Sequence, residues 1–355
     1  MEGNFQRKKR ATIKMVANEA GVSTQTVSRV LNNRPDVAPK TRERVQAVIK
    51  RLNYHPSAVA RSLIHQRTNT IGVVTIGLKN MGPSRTLTGI AHQAEECGYS
   101  LLLKESPKYN LGDYQVVLRS LLDRRVDGII WAVSENETNR QWLEELIPDL
   151  SVPVIFLGIA PFEGGRVLTI DNYRGGQIAT QYLLELGYAQ IGHISGPLEF
   201  WDANSRKLGW EDTLEQAGFE VSSTQFAQGN WTAASGEQAM DTLLAQFPQM
   251  EAVFVSNDQM ALGAIRALYA RNLEIPADIA VIGYDGIPES AYFHPPLTTI
   301  YQDLHTLGCM AVNTLVGIIE KRRQGLESDT ESLVLQPELI IRESTIPGQP
   351  HLTQQ

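Results

Sequence analysis

A run of polar side chains near the start of the chain has the composition of a surface that reads DNA bases. It holds hydroxyl, amide and guanidinium groups: Ser23, Thr24, Gln25, Thr26, Ser28, Arg29 and Asn32. In the major groove a glutamine can pair with adenine and an arginine with guanine, each through two hydrogen bonds. We expect Thr24, Gln25 and Arg29 to approach bases. The hydroxyls of Ser23, Thr26 and Ser28 suit phosphate contacts. The ordinary alternative is a helical hairpin whose polar residues are merely solvated.

A second set of polar and aromatic side chains follows apolar, β-branched runs later in the chain: Arg206, Trp231, Asn257, Asp258, Asp285, Gln302 and Asp303. An indole can lie against the C–H face of a pyranose, while guanidinium, amide and carboxylate groups bridge neighbouring hydroxyls. Each residue also has a structural alternative. Trp231 could be core and Arg206 a surface ion pair. Asp285 could cap a helix or pair with a lysine, and Asn257 could be a turn residue.

The first set needs helices to position it. Apolar spacing predicts a helix over Thr12–Ala20, a second that Ser23 caps and that runs to Leu31, and a third over Pro39–Leu52. Gly21 allows the tight turn between the first two, which is the arrangement of a helix–turn–helix. A fourth short helical segment is predicted over Ser57–Ile64.

The second set needs parallel sheets. Strands are predicted at Ile71–Ile76, Leu101–Lys104, Gly128–Val133, Val154–Leu157, Val167–Ile170, Ile191–Ser195, Ala252–Ser256, Ile279–Tyr284, Thr298–Tyr301 and Leu333–Leu335. Helical patterns such as Gly176–Leu186 and Met260–Arg271 fill the gaps, and this alternation favours βαβ units. So many strands exceed one comfortable sheet, so we expect two α/β lobes with a ligand cleft at the carboxyl ends of their strands.

The charge is divided along the 355-residue chain, whose net charge is −7. Residues 1–67 hold 14 basic and 4 acidic side chains, a net charge of +10, and the remainder holds 18 and 35, a net charge of −17. A basic segment attached to an acidic body indicates a nucleic-acid-binding head. The four basic residues at positions 7–10 precede no apolar run, so a secretory signal is not expected and the protein is placed in the cytoplasm, nucleoid-associated, with no membrane contact.

These segments resemble one known family. The runs TIKMVANEAGVSTQTVSRVLNN and VAPKTRERVQAVIKRLNYHPSAVARSL are similar to the head of the lactose-repressor/galactose-repressor (LacI/GalR) family. The resemblance continues through ISGPLEFWDANSRKLGW, GNWTAASG, FVSNDQMALGAIRAL, VIGYDGIPES and PPLTTIYQD, where it is strongest to the family's lactose-repressor branch. It implies a ligand-responsive DNA-binding transcriptional repressor that binds a pseudo-palindromic operator as a homodimer.

The resemblance also implies roles for particular residues. The segment Pro56–Leu63 matches a hinge that becomes helical on the operator, where Leu63 is the wedge between base pairs and Ser57 and Ala60 face the groove and the partner hinge. The family's ligand residues carry over onto Arg206, Trp231, Asn257, Asp285 and Gln302. The implied effector is a sugar, a galactoside or related saccharide, that acts as an inducer of carbohydrate-utilisation genes; a purine corepressor is the alternative.

Three positions depart from the lactose-repressor pattern. Thr24 replaces a tyrosine, which leaves the operator sequence open. Gly158 replaces an aspartate and Leu304 an aromatic residue, which leaves the identity of the sugar open. Phe200 and Trp201 add aromatic surface near the predicted cleft. Ile90, Ala94 and Leu118–Leu122 are candidate dimer positions, with burial inside one lobe as the alternative.

The expected domain organisation combines an all-α helix–turn–helix head with a two-lobed α/β core of the periplasmic-binding-protein type with parallel sheets. We predict a disordered basic tail at 1–11, the head at 12–55, a hinge at 56–68, the core at 69–344 and a flexible tail at 345–355. Within the core, the N-lobe is predicted at 69–170 and 303–331, and the C-lobe at 171–302 and 332–344. The tail lacks leucine heptads, so no tetramer built on them is expected.

Other function classes fit the sequence poorly. The chain has no Gly-x-Ser-x-Gly, no histidine pair at metal spacing and no phosphate loop ending in Lys-Ser/Thr, so an enzyme is not expected. His193, His294 and His305 are interpreted as isolated structural residues. Cys97 and Cys309 are interpreted as reduced, packed thiols, and neither a metal nor a cofactor is predicted. A solute-binding protein of a transporter would need an export signal and no basic head.

Overall fold

The chain divides into two compact units, residues 1–68 and residues 69–355. The computed structural model describes residues 11–31, 33–54, 67–106, 111–136, 140, 150–327 and 331–346, and for 111–113 the backbone only. Asn32, the hinge residues Ser57, Ala60 and Leu63, and most of both predicted tails lie outside the described residues.

The described residues of the first unit form three helices, α1 (Ile13–Ala20), α2 (Thr24–Leu31) and α3 (Pro39–Arg51). Their apolar faces form one small core of Val16, Ala17, Ala20, Val27, Val30, Val37, Val45 and Val48. Gly21 ends α1 in the left-handed conformation with φ of 62°, which costs least for a residue without a Cβ. The Ser23 hydroxyl accepts a hydrogen bond from the Thr26 amide at 3.1 Å, so the predicted cap of α2 is present.

The second unit contains twelve strands and seven α-helices within the described residues. The strands are β1 (Thr70–Thr75), β2 (Ser100–Glu105), β3 (Gly128–Ala132), β4 (Val154–Leu157), β5 (Val167–Ile170), β6 (Ile191–Ser195), β7 (Phe226–Gln228), β8 (Ala252–Val255), β9 (Ala280–Asp285), β10 (Thr298–Tyr301), β11 (Leu333–Leu335) and β12 (Glu338–Ile340). The helices are α4 (Met81–Glu96), α5 (Leu111–Leu122), α6 (Asn172–Glu185), α7 (Trp201–Gln216), α8 (Ala233–Gln246), α9 (Asp258–Tyr269) and α10 (Leu304–Arg323).

The strands form two six-stranded sheets, each at the centre of one lobe. The N-lobe sheet has the order β11-β5-β4-β3-β1-β2, and the C-lobe sheet has the order β12-β10-β9-β8-β6-β7. Every strand pair is parallel except β10 with β12. Parallel strands are buried on both faces, which explains the continuous apolar runs in the sequence.

The chain crosses between the lobes three times, and the third crossing differs from the prediction. Residues 333–335 pair with β5 in the N-lobe, and only residues 338–340 join the C-lobe. The sequence-based boundary at 331/332, which gave 332–344 to the C-lobe, is therefore wrong by one strand. A three-residue strand carries no pattern that distinguishes one sheet edge from another, and β7 and β12 were missed for the same reason.

The predicted flexible tail begins too early. Thr345 is fully buried, and its hydroxyl lies 2.8 Å from that of Thr298 and 3.1 Å from that of Tyr182. Ser344, also fully buried, donates a hydrogen bond to the Val281 carbonyl. A polar composition suggested an exposed tail, but these hydroxyls are satisfied inside the C-lobe.

The candidate dimer positions are part of the N-lobe core. Ile90 and Ala94 are fully buried in the core cluster that contains α10, and Leu118 and Leu121 are buried in a second cluster on the other face of the sheet. The alternative of burial within one lobe is thus the arrangement present in the single chain. None of the helices described here has both the length and the apolar character required to span a bilayer.

Candidate functional site

A cleft of about 1020 Å³, including its open mouth, lies between the two lobes. All five residues predicted to bind ligand line it: Arg206, Trp231, Asn257, Asp285 and Gln302. They come from the loops and helix starts that follow strands of the C-lobe and from the crossing after β10. The rule that polar residues after parallel strands converge at one edge therefore located this side of the cleft.

Arg206 and Asp285 form a charged pair at the wall of the cleft. The guanidinium Nη1 lies 3.8 Å from Asp285 Oδ1, with Arg206 4% and Asp285 7% exposed. The same guanidinium donates from Nε to Asn172 Oδ1 at 2.8 Å and from Nη1 to the Ser256 carbonyl at 2.5 Å. The alternative of a surface ion pair at Arg206 is therefore wrong.

Each partner of this pair keeps a polar atom for a ligand. Gln302 donates to Oδ1 of Asp285 at 2.7 Å, which is also the atom nearest Arg206. Within the described parts of the chain, no side chain donates to Oδ2 of Asp285 and none accepts from Nη2 of Arg206. A carboxylate oxygen and a guanidinium N–H in one cleft suit a molecule that carries adjacent hydroxyls.

Burial sets the ionisation of Asp285. Desolvation raises its pKa to about 6, and the neighbouring Arg206 and the Gln302 hydrogen bond act in the opposite direction. The carboxyl is thus mostly ionised at neutral pH but titrates close to it. Its backbone has φ of 100°, a conformation in which strain is often stored at functional sites.

Trp231 supplies the apolar surface. Its indole lies 5.6 Å from the guanidinium carbon of Arg206, and it packs on the C-lobe core while lining the cleft. A Cβ at Gly196 would lie 2.2 Å from the indole ring, so the glycine after β6 makes room for it. Trp231 also has a positive φ of 71°, which is unusual for a bulky residue.

Asn257 begins a helix rather than a turn, and it lines the cleft as well. Its side chain caps α9 by accepting from the Met260 amide at 2.8 Å, and its Nδ2 donates to the Trp231 carbonyl at 3.1 Å. It therefore holds the loop that carries the indole in place.

Sequence analysis missed the N-lobe side of the cleft. Asn80, Thr86 and Ser134 line it from the N-lobe, and Asn172 and Asp202 complete the C-lobe side. Ser134 follows β3 and Asn172 follows β5, so the same rule applied to the first lobe would have found both. The departures Gly158 and Leu304 and the aromatic Phe200 also line the cleft, whereas Trp201 is absent from its lining.

Among the residues that the structure describes, hydrogen bonds join the lobes at two places beside the cleft. Arg85 of α4 donates to the carbonyls of Asp285 and Gly286 at 3.4 and 3.3 Å. At the other place, Asn136 pairs with Phe200 as an isolated antiparallel bridge, and the Trp201 amide donates to the Glu135 carbonyl at 3.1 Å. The two lobes that would enclose a ligand are therefore already in contact with each other at the edge of the cleft.

In the first unit the predicted base-reading residues lie on one exposed surface of α2. Thr24, Gln25 and Arg29 are exposed, with Ser23 exposed beside them, while Val27 and Val30 are buried on the opposite side. Thr26 and Ser28 are half-buried. Arg29 forms an ion pair with Asp36 at 3.5 Å, and both side chains are about half exposed. Such an exposed pair is weak, so Arg29 is available to a stronger partner.

Comparison with known proteins agrees with both units. Residues 12–57 match the lacI family of bacterial regulatory proteins, and residues 180–345 match the periplasmic binding protein-like domain. The ribose operon repressor of Escherichia coli (strain K12) is 39% identical over 310 residues, which cover 86% of this chain and 92% of the relative. The chain belongs to the lacI family. It is a ligand-regulated DNA-binding repressor and not an enzyme.

Two further relatives show how far this family similarity extends. The transcriptional repressor PurR of Proteus mirabilis (strain HI4320) is 37% identical over 338 residues, covering 95% of this chain and 98% of the relative. The lac repressor dimer bound to operator and the anti-inducer ONPF superposes with a TM-score of 0.87 at 33% identity, covering 95% of this chain and 99% of that chain. The family and fold implied by the resemblance are therefore confirmed.

Proposed function

We propose that this lacI-family repressor is released from its operator by a saccharide bound in the cleft between the lobes. The observation that carries the proposal is the buried Asp285–Arg206 pair, with one acceptor and one donor unused, in the same cleft as the Trp231 indole. An indole face with paired hydrogen-bonding groups is the chemistry that a sugar ring needs. Gln302, Asn257 and Asn172 supply further amide groups to the cleft.

The relatives support a saccharide without identifying it. One relative is a ribose operon repressor, and a solved transcriptional regulator, CelR, in complex with cellobiose has a TM-score of 0.70 at 31% identity. Gly158 and Leu304 both line the cleft, so the departures from the lactose-repressor pattern fall where they would change the sugar that is bound. Galactosides are one class to test among several saccharides.

A purine corepressor is the second candidate, favoured by the 37% identity with PurR. A planar base is held best between two aromatic faces, and Trp231 and Phe200 are the aromatic residues that line the cleft. More polar than aromatic side chains line the cleft, which favours the saccharide.

The DNA-binding part of the proposal rests on α2 and the hinge. Thr24, Gln25 and Arg29 are proposed to read bases, and Ser23, Thr26, Ser28 and Asn32 to complete the contacts along the helix. Ser57, Ala60 and Leu63 are proposed to enter the minor groove as a paired hinge. A wedge that unstacks one base step bends the duplex and brings more protein surface onto the DNA.

The active species is proposed to be a homodimer on a pseudo-palindromic operator, since two-fold symmetry in the protein matches two half-sites. Val116 of α5 is 69% exposed and Leu103 of the edge strand β2 is 41% exposed, so the N-lobe offers apolar surface for a partner.

Effector binding would change the arrangement of the lobes, and through residues 55–68 the spacing of the two heads. Its effect is limited to its differential affinity for the two arrangements.

A thermal-shift screen of the full-length protein against galactosides, other mono- and disaccharides, and purines tests the effector class. We expect one saccharide class to raise the melting temperature in a concentration-dependent way, since a ligand that binds only the folded state stabilises it by RT ln(1 + [L]/Kd). Asp285→Asn is the control and should lose the shift. Stabilisation by purines alone would replace the saccharide with the second candidate.

A further inference from the structure

The crossing of α4 and α10 in the N-lobe brings two helix backbones into direct contact. A Cβ at Gly89 would lie 2.0 Å from the His305 carbonyl oxygen, and a Cβ at Gly308 would lie 2.3 Å from the Thr86 carbonyl oxygen. Glycine on each helix is therefore required for this approach. Side chains one turn away on each helix are consequently held at fixed separations.

Three metal-ligating side chains lie at this crossing: His92 on α4, and His305 and Cys309 on α10. One ligand atom from each lies within 4.8 Å of those of the other two, and no other group of three or more His, Cys, Asp or Glu residues does so in the part of the chain that the structure describes. Cys309 Sγ is 3.8 Å from His305 Nδ1, and the two imidazole rings are 5.8 Å apart between centroids.

We propose that His92, His305 and Cys309 bind one zinc ion. Zinc favours imidazole nitrogen and thiolate sulfur in a tetrahedral arrangement, with Zn–N of about 2.0 Å and Zn–S of about 2.3 Å. Those lengths place neighbouring ligand atoms roughly 3.5 Å apart, so His305 and Cys309 are already close to the required separation. His92 is exposed, and rotation of its ring can bring its ligand nitrogen closer to the ligand atoms of His305 and Cys309.

The spacing on α10 suits this chemistry. Residues at i and i+4 lie one above the other on a helix face, so His305 and Cys309 point to the same side, towards α4. The Cys309 thiol now donates to the Gly89 carbonyl at 3.4 Å, a weak bond that metal binding would replace. On binding, a Zn–S bond forms and the thiol proton passes to solvent. Three protein ligands leave the fourth position for water.

Sequence analysis treated His305 as isolated and Cys309 as a packed thiol, and it predicted no metal. The structure corrects the first interpretation, because His305 lies one helical turn from Cys309 and meets His92 across the crossing. Cys309 is a free, partly buried thiol, as predicted. The third ligand lies more than 200 residues earlier in the chain. Only the packing of α4 on α10 reveals the cluster.

The proposed site has a consequence for the cleft. Both helices begin at the cleft, where Gly82, Pro83 and Thr86 of α4 and Leu304 and Leu307 of α10 line it. A metal at residues 92, 305 and 309 would join α4, between one and two turns after Thr86, to the first two turns of α10, beside Leu304 and Leu307. It would thus stabilise the N-lobe wall of the cleft without occupying the cleft.

Titration of the full-length protein with Co²⁺, a spectroscopic substitute for Zn²⁺, tests the proposal. We expect one Co²⁺ per chain, a thiolate-to-cobalt charge-transfer band, and displacement of the band by Zn²⁺. Cys309→Ser should abolish the band, and Cys97→Ser, which changes the only other cysteine of the chain, should retain it. A band that is absent, or that survives in Cys309→Ser, would overturn the proposal.

A second pair of variants separates metal binding from folding. His92→Ala removes an exposed ligand, so the metal-free protein should melt as the wild type does. Its Zn²⁺ affinity should fall by more than about tenfold, since loss of even an outer partner of a zinc ligand costs 10–100-fold. His294→Ala, which changes an exposed histidine of the C-lobe, is the matched control and should bind Zn²⁺ as the wild type does. Equal affinities in both variants would contradict the assignment of His92.

Discussion

Asp285 is a predicted ligand residue that is held in place by contacts from both lobes. It pairs with Arg206, accepts from Gln302, and is held through its backbone carbonyl by Arg85 of the opposite lobe. Sequence alone predicted a carboxylate at the end of β9. It could not show that the carboxylate is buried against a guanidinium, because Arg206 lies on a helix 79 residues earlier in the chain.

Effector binding should depend on pH through Asp285. Burial raises the pKa of this carboxyl to about 6, so it gains a proton as the pH falls through that value and then accepts hydrogen bonds from sugar hydroxyls less well. We expect saccharide affinity to fall by up to about tenfold from pH 7 to pH 5, following the loss of the ionised fraction. Isothermal titration calorimetry across this range measures it.

The matched control for this prediction is Asp202, the other carboxyl that lines the cleft. Its charge raises the pKa of Asp285, so Asp202→Asn should move the midpoint to lower pH and keep the dependence. Asp285→Asn should remove the dependence. A pH profile that persists unchanged in Asp285→Asn would assign the titration to another group.

Arg29 is the residue whose replacement should change sequence recognition. Its ion pair with Asp36 is about half exposed and contributes little to folding. Arg29→Ala should therefore leave the melting temperature nearly unchanged, cost about 1–3 kcal/mol on the operator and relax discrimination at one base pair. Competition binding with operators varied at single positions measures this. An equal loss on operator and random DNA would argue against base reading by Arg29.

At the scale of elements, predictability followed the strength of the apolar pattern. The helices of the head were placed within a residue of their observed bounds because a glycine turn, a serine cap and the 3–4 apolar spacing agree there. The buried parallel strands were found as apolar runs. The three-residue edge strands β7 and β12 were missed, and β11 was assigned to the wrong lobe, because so few residues have no measurable periodicity.

The crossing of α4 and α10 yields a prediction about two glycines of one helix. Gly308→Ala would bring a Cβ to 2.3 Å from the Thr86 carbonyl oxygen, whereas a Cβ at Gly317 meets nothing within 4 Å. Gly308→Ala should therefore destabilise the protein by about 1–3 kcal/mol through overpacking. Gly317→Ala should stabilise it by roughly 0.5–1 kcal/mol through helix propensity.

Chemical denaturation of the two variants beside the wild type measures both effects. The comparison is matched because each change adds one methyl group to the same helix. If Gly308→Ala were as stable as Gly317→Ala, the backbone contact between the two helices would be wrong, and the proposed metal cluster would lose its fixed geometry.

At the scale of the whole molecule, the charge division and the two fold types predicted separate DNA-binding and ligand-binding units, and the family relationship agrees. The three chain crossings near residues 171, 302 and 336 link the lobes covalently, so that each lobe is built from separate segments of the chain. The contacts of Arg85 with Asp285 and of Asn136 with Phe200 then set one arrangement of the lobes. An effector that binds between the lobes competes with or reinforces those contacts. Sequence could not reveal them, because they join residues far apart in the chain.

The most direct test measures operator affinity with and without the saccharide identified by the thermal-shift screen. Full-length wild type and Asp285→Ala are compared on a DNA site selected from a random library by the wild type, using fluorescence anisotropy. We predict that the saccharide weakens wild-type binding by about 5–150-fold, the range of a coupling free energy of 1–3 kcal/mol. We also predict that Asp285→Ala binds the site like the wild type and does not respond to the saccharide. Tighter binding with the saccharide, or loss of operator binding in Asp285→Ala alone, would contradict an inducer acting through this cleft.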